Sequence, residues 1–164
     1  MMIHVETIMS TSFTMPDSPT PQSRPQLGTL LLAGQQWVMT SLLRLMAERG
    51  HADLTAAHLM FLGNLDCGDT YASEVARRMG VSRQAVYRST RELQRLKVLR
   101  LETDAARKTQ KIIRVTKHGQ QVVTDARACL DVIEATLKDR IGERDLAKLV
   151  ASLCRDWGPP LGGA

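Results

Sequence analysis

The spacing over residues 72–96 predicts two short helices joined by a glycine turn, and this pairing most restricts what the chain can fold into. Val75, Ala76 and Met79 fall on one face of the first helix, with Ala76 small where a second helix must cross closely. Gly80 suits the left-handed residue that ends a helix. Ser82 suits the cap of the next one, and Val81 with Val86 flanks that cap as a hydrophobic staple. Val86, Ser89, Leu93 and Leu96 then form the inward stripe of the second helix. The opposite face carries Arg83, Gln84, Tyr87, Arg88 and Arg91. Two helices at this spacing are a helix-turn-helix, whose second helix presents its N-terminal end to the major groove. Arginine can bond guanine O6 and N7 bidentately, and glutamine can do the same for adenine.

Charge and the next segment point the same way. Residues 70–118 hold thirteen Lys and Arg against four acids, a net +9, whereas the whole chain is only +5. A basic centre between mildly acidic flanks is the electrostatic footprint of a polyanion partner. After the second helix, Leu99 and Leu101 alternate with Arg100 and Glu102. Ile113 and Val115 alternate with Ile112 and Arg114 beyond the polar loop 103–110. This predicts a β-hairpin wing over residues 98–115, with Arg107 and Lys108 at a basic tip able to reach phosphates or a minor groove. Residues 70–118 therefore read as a winged helix-turn-helix that binds double-stranded DNA.

The remainder is helical. Residues 1–26 carry four of the six prolines among Ser, Thr and Gln, and are expected to be a disordered arm. Helices are expected over 29–50 and 55–66, the second capped by Thr55. A long helix is expected after Thr116, with Val122, Ala126, Cys129, Ile133, Leu137 and Ile141 on one stripe, broken at Gly142. A last helix follows, with Leu146, Leu149, Val150, Leu153 and Trp157 in register before Pro159 and Pro160. The fold expected is mainly α with a small β-hairpin wing, and residues 27–164 are expected to make one domain.

Several functions are disfavoured. Aromatics make up only 4% of the chain, too few for the stacking platforms of single-strand binders. Three scattered cysteines without CxxC spacing fit reduced thiols. No apolar run approaches the roughly 20 residues of a membrane span, and no signal peptide is evident, so a cytoplasmic address is expected. His51, His58 and Cys67 lack metal-ligand spacing, Cys67 has no cationic neighbour to activate it as a redox sensor, and no catalytic constellation stands out. Neither an enzyme nor a cofactor is expected.

Residues 54–119 resemble the MarR family of bacterial winged-helix regulators through "LTAAHLMFLGNL", "SEVARRMGVSRQAVYRSTRELQRLKVL" and "IIRVTKHG". The resemblance extends more weakly over 29–157, and implies dimerisation helices at 29–50 and 117–158 around a DNA-binding lobe at 54–116. It implies a homodimer on a pseudo-palindromic operator, a repressor released by a small ligand or oxidant. Carried over by position, Ser82, Arg83, Gln84, Tyr87 and Arg88 are the major-groove residues, with Arg107 and Lys108 in the wing. Trp37, Met39, His58, Met60 and Phe61 are candidates for an effector pocket, against the plainer reading that they are core. Three positions depart from the family pattern. Tyr71 replaces the usual Thr or Ser cap, and the usual wing Asp is missing ahead of Lys108. Lys97 replaces the usual Gly, so another route into the first strand is expected. The rival readings are a winged-helix scaffold for protein partners and a DNA-organising protein without sequence preference.

Overall fold

The computed structural model describes residues 25–65, 70–104, 111–159 and 161. Most of the N-terminal arm, Cys67 and the wing-tip residues Arg107 and Lys108 lie outside them. Along the described chain run α1 (Leu27–Glu48), α2 (Ala56–Gly63), β1 (Thr70–Tyr71), α3 (Ala72–Met79), α4 (Arg83–Arg95), β2 (Leu99–Thr103), β3 (Lys111–Val115), α5 (Lys117–Ile141) and α6 (Glu143–Leu153). The chain divides into two compact units, residues 1–35 and 36–164, and the core lies in the second.

Helix starts follow the cap residues. Thr55, Ser82 and Thr116 each accept a backbone N–H of the first turn, at His58, Ala85 and Gly119 respectively. Helix α2 ends at Gly63, short of the expected 55–66 span. Gly63 and Asn64 are weak helix formers, and the Asn64 amide donates to the Met60 carbonyl at 2.8 Å, satisfying a terminal acceptor sideways. The wing strands pair antiparallel from Leu99 opposite Val115 to Thr103 opposite Lys111. A third strand escapes the sequence pattern: β1 pairs with the other side of β3, giving the order β1-β3-β2. Two residues are too few to show a period. As the middle strand, β3 buries both Ile112 and Ile113, which breaks the simple alternation.

Lys97 corrects an expectation. No other route into β2 is taken: Lys97 itself adopts the left-handed conformation at φ 58°. Its N–H donates to the Gln94 carbonyl and that of Val98 donates to Leu93, each at 2.9 Å, while Leu93 and Val98 bury their side chains together. This is the Schellman ending that glycine normally permits. Gly80 closes α3 the same way at φ 63°, with Val81 bonded to Ala76 at 3.1 Å. The left-handed region costs an L-residue about 1–2 kcal/mol, and a glycine's looser unfolded chain returns roughly half of that. Lys97→Gly is therefore expected to raise stability by about 0.5–1 kcal/mol, read as a higher urea midpoint at unchanged slope. A midpoint that stays or falls contradicts strain at this residue.

At the foot of α5, Thr116 ties three segments together. Its N–H donates to the Val98 carbonyl at 3.0 Å and its hydroxyl lies 2.6 Å from the Lys97 carbonyl. The same hydroxyl oxygen accepts from Gly119 N–H at 3.0 Å. The wing, the end of α4 and the start of α5 therefore meet at one point.

Candidate nucleic-acid interface

Helix α4 rests on Val86, Thr90 and Leu93, all at most 1% exposed, with Ser89 and Leu96 half-buried at the margin. Thr90 was not legible as core. Its polar atom is satisfied locally, the hydroxyl donating to the Val86 carbonyl at 2.8 Å, which frees its methyl to pack inward. On the opposite face Arg83, Gln84, Tyr87, Arg88 and Arg91 are all exposed. Tyr87 shows 53% of its surface, an unusual exposure for an aromatic with no partner element over it. Ser82 uses its hydroxyl oxygen in the cap at 3.2 Å from Ala85 N, which leaves the hydroxyl proton to donate outward. Gln84, Tyr87, Arg88, Arg91, Glu92 and Arg95 line one open groove along this face. Arg95 is a member that sequence reasoning passed over. It continues the Arg88 and Arg91 row one turn further, a spacing of i, i+3, i+7 that was visible in the sequence.

The basic excess is not spread evenly. Arg77 and Arg78 of α3 both bond Glu74, at 2.6 and 3.1 Å, and these guanidiniums hold its carboxyl below the usual range, Arg77 foremost. On the wing strands Glu102 takes Arg100 at 2.9 Å and also Arg114. By contrast, none of Arg83, Arg88, Arg91 and Arg95 forms an ion pair among the described residues. Among the described residues α4 thus carries the largest group of arginines without an acidic partner, the kind of charge a phosphate backbone can use.

Tyr71 makes no side-chain cap for α3. Its hydroxyl instead donates to Asp104 Oδ2 at 2.6 Å, tying the start of α3 to the root of the wing. Asp104 is 7% exposed there.

No protein-family model and no curated protein matches the sequence. Solved structures do match. The apo structure of MarR from E. coli superposes with a TM-score of 0.68 at 17% identity, covering 80% of this chain and 96% of that one. A MarR-family transcriptional regulator from Rhodococcus sp. RHA1 gives 0.64 at 19%, covering 77% and 89%. CouR from Rhodococcus jostii RHA1, solved bound to p-coumaroyl-CoA, gives 0.63 at 19%, covering 77% and 88%. The fold is that of the MarR regulators. At these identities the likeness is one of architecture.

Within this MarR-type fold a cavity of about 760 Å³ opens between α1, α2, the wing strands and α5, with Leu42, Leu59, Leu62, Arg100, Arg114 and Arg127 in its wall. Trp37, His58 and Met60 do not line it, so the sequence-based pocket is not brought together there. Phe61 is fully buried core and His58 is 4% exposed, while Met60 points outward at 43%. Trp37 lies with the Arg140 guanidinium 5.5 Å over its ring. His51 and His58 serve separate contacts, His51 bonding Asp125 at 2.8 Å and His58 bonding Glu92 at 2.9 Å. Cys129 is buried against Met46 and takes a guanidinium N–H from Arg49, yet burial outweighs that cation and pushes its thiol up. Among the described residues no group of three His, Cys, Asp or Glu could hold a metal ion, and no helix is long and apolar enough to cross a membrane.

Proposed function

We infer that this chain is a sequence-specific regulator of transcription that reads double-stranded DNA with α4. The observation that carries the reading is the outer face of α4: arginines without acidic partners among the described residues, with Gln84 and Tyr87 between them, on a helix whose other face is locked into the core. Arg83, Gln84, Tyr87 and Arg88, with the Ser82 hydroxyl, are assigned to base edges and flanking phosphates, and Arg91 and Arg95 to phosphates. Arg107 and Lys108 of the wing are assigned to the backbone or adjacent minor groove. Such a protein works where the DNA is, in the cytoplasm of a bacterial cell.

A homodimer is the working form. Leu149, Val150, Leu153 and Trp157 share a stripe on and just beyond α6 and stay 41–62% exposed, while Leu146 alone of that stripe is buried. An apolar face of this size favours a second copy. Two recognition helices would then enter successive major grooves about 34 Å apart. A dimer covering that length occludes the DNA beneath it, so repression is the expected sense. CouR was solved with p-coumaroyl-CoA, and by analogy a small effector is assigned to the cavity between the wing and α5.

Sequencing the genomic fragments retained at physiological salt tests the reading. A shared, inverted-repeat motif supports it; retention without any motif supports a DNA-organising protein, and no retention supports a protein scaffold. Arg88→Ala is expected to cost on the order of 1–3 kcal/mol on the selected site and to relax the preference at one position. Equal loss on selected and random duplexes makes Arg88 a phosphate contact instead. A thermal shift with a candidate effector tests the ligand assignment separately.

A further inference from the structure

Glu92 is the one acid on the recognition helix, and it stands in the same groove as the arginines. On a helix its natural partners are Arg88 at i−4 and Arg95 at i+3. It pairs with neither. Its carboxylate Oε2 lies instead 2.9 Å from Nε2 of His58, a residue of α2 that is 4% exposed. The ring's tautomer follows from its other contact: Nδ1 accepts the Thr55 N–H at 3.3 Å, as one half of the capping box that starts α2. The ring proton is then on Nε2, aimed at Glu92.

We propose that His58 is a positioning residue for DNA binding, resting on the reading of α4 as the recognition helix. It holds the Glu92 carboxylate against α2 and so keeps it from closing on Arg88 or Arg95. The helix is braced from behind by a donor that is itself fixed by the α2 cap, and the arginines stay open to phosphate. Released, Glu92 would neutralise one of them and leave its own charge facing DNA.

The test separates brace from cap. His58→Met fills most of the same space but has no N–H to donate to Glu92, while the Thr55 hydroxyl still caps α2 through the backbone N–H at position 58. Affinity for duplexes selected by the wild-type protein is expected to fall about tenfold, with the salt slope of binding smaller by about one. Adding Glu92→Gln to that variant is expected to restore the slope and most of the affinity, because the competing charge is gone. Glu92→Gln alone should bind at least as well as wild type. If His58→Met binds with wild-type affinity and slope, the proposal is overturned. A loss that Glu92→Gln does not rescue also overturns it, since that is the signature of packing damage. Nitrogen NMR of the wild-type ring adds a readout independent of how the variants fold: Nε2 must carry a proton, and a neutral ring protonated at Nδ1 alone sinks the brace. Wild-type protein that selects no duplex at all overturns the regulatory reading itself, and the brace with it.

Discussion

Gly119→Ala is expected to destabilise the protein by on the order of 3 kcal/mol, although alanine is the better helix former by about 1 kcal/mol. A Cβ at this position would sit 2.1 Å from the Val98 carbonyl oxygen and 2.7 Å from Val115 Cγ1. The first of these is backbone and cannot rotate away. It also accepts the Thr116 N–H at 3.0 Å, so retreat of Val98 breaks a bond at the junction of α4, the wing and α5. For a chain of this size the loss corresponds to a melting point lower by about 10 °C. Because the displaced residue leads directly into β2, DNA affinity should fall further than the residual folded fraction accounts for. A variant as stable as wild type, or more so, would show that the α5 foot has room that the contacts deny it.

Phe61→Ala is expected to cost about 3–5 kcal/mol, the largest effect of any single truncation proposed. Phe61 is fully buried on α2, between Leu59 and Leu62, which are also buried. Net stabilities of domains are about 5–15 kcal/mol, so this loss removes a large share of the total. Met60→Ala, one residue away and 43% exposed, is expected to change stability by no more than about 0.5 kcal/mol. Urea unfolding of both variants at one fixed protein concentration makes the comparison, since association would otherwise shift the midpoint. Similar costs at 60 and 61 would mean that the face of α2 is misassigned.

The same pair of residues shows where the sequence stops speaking. Met60 and His58 were candidates for an effector pocket because a methionine and a histidine on an apolar helix suit either a cavity or a core. Only the rotation of α2 distinguishes the two. The rotation puts His58 against α4 and Met60 outside, while the open space lies on the Leu59 and Leu62 side. Likewise the count of basic residues over 70–118 was visible at once, but not which of them are neutralised. Glu74 and Glu102 each draw in two arginines and offset one of the two charges, on α3 and on the wing strands, through contacts that depend on helix rotation and strand pairing.

What the sequence by itself determined are the features written in local physics. Capping residues at Thr55, Ser82 and Thr116, the left-handed stop at Gly80, the inward stripe of α4 and the pairing of the two wing strands as a hairpin each depend on neighbours within about one turn or one hairpin. Tertiary structure decided the rest. It placed a lysine in the left-handed ending of α4, because Leu93 and Val98 bury together across that turn and outweigh the strain. It added β1 to the wing, tied Tyr71 to Asp104, and set His58 behind the only acid of the recognition helix. These last three contacts join residues 33 to 43 positions apart, while the ending of α4 balances strain against burial, and no periodicity along the chain encodes either.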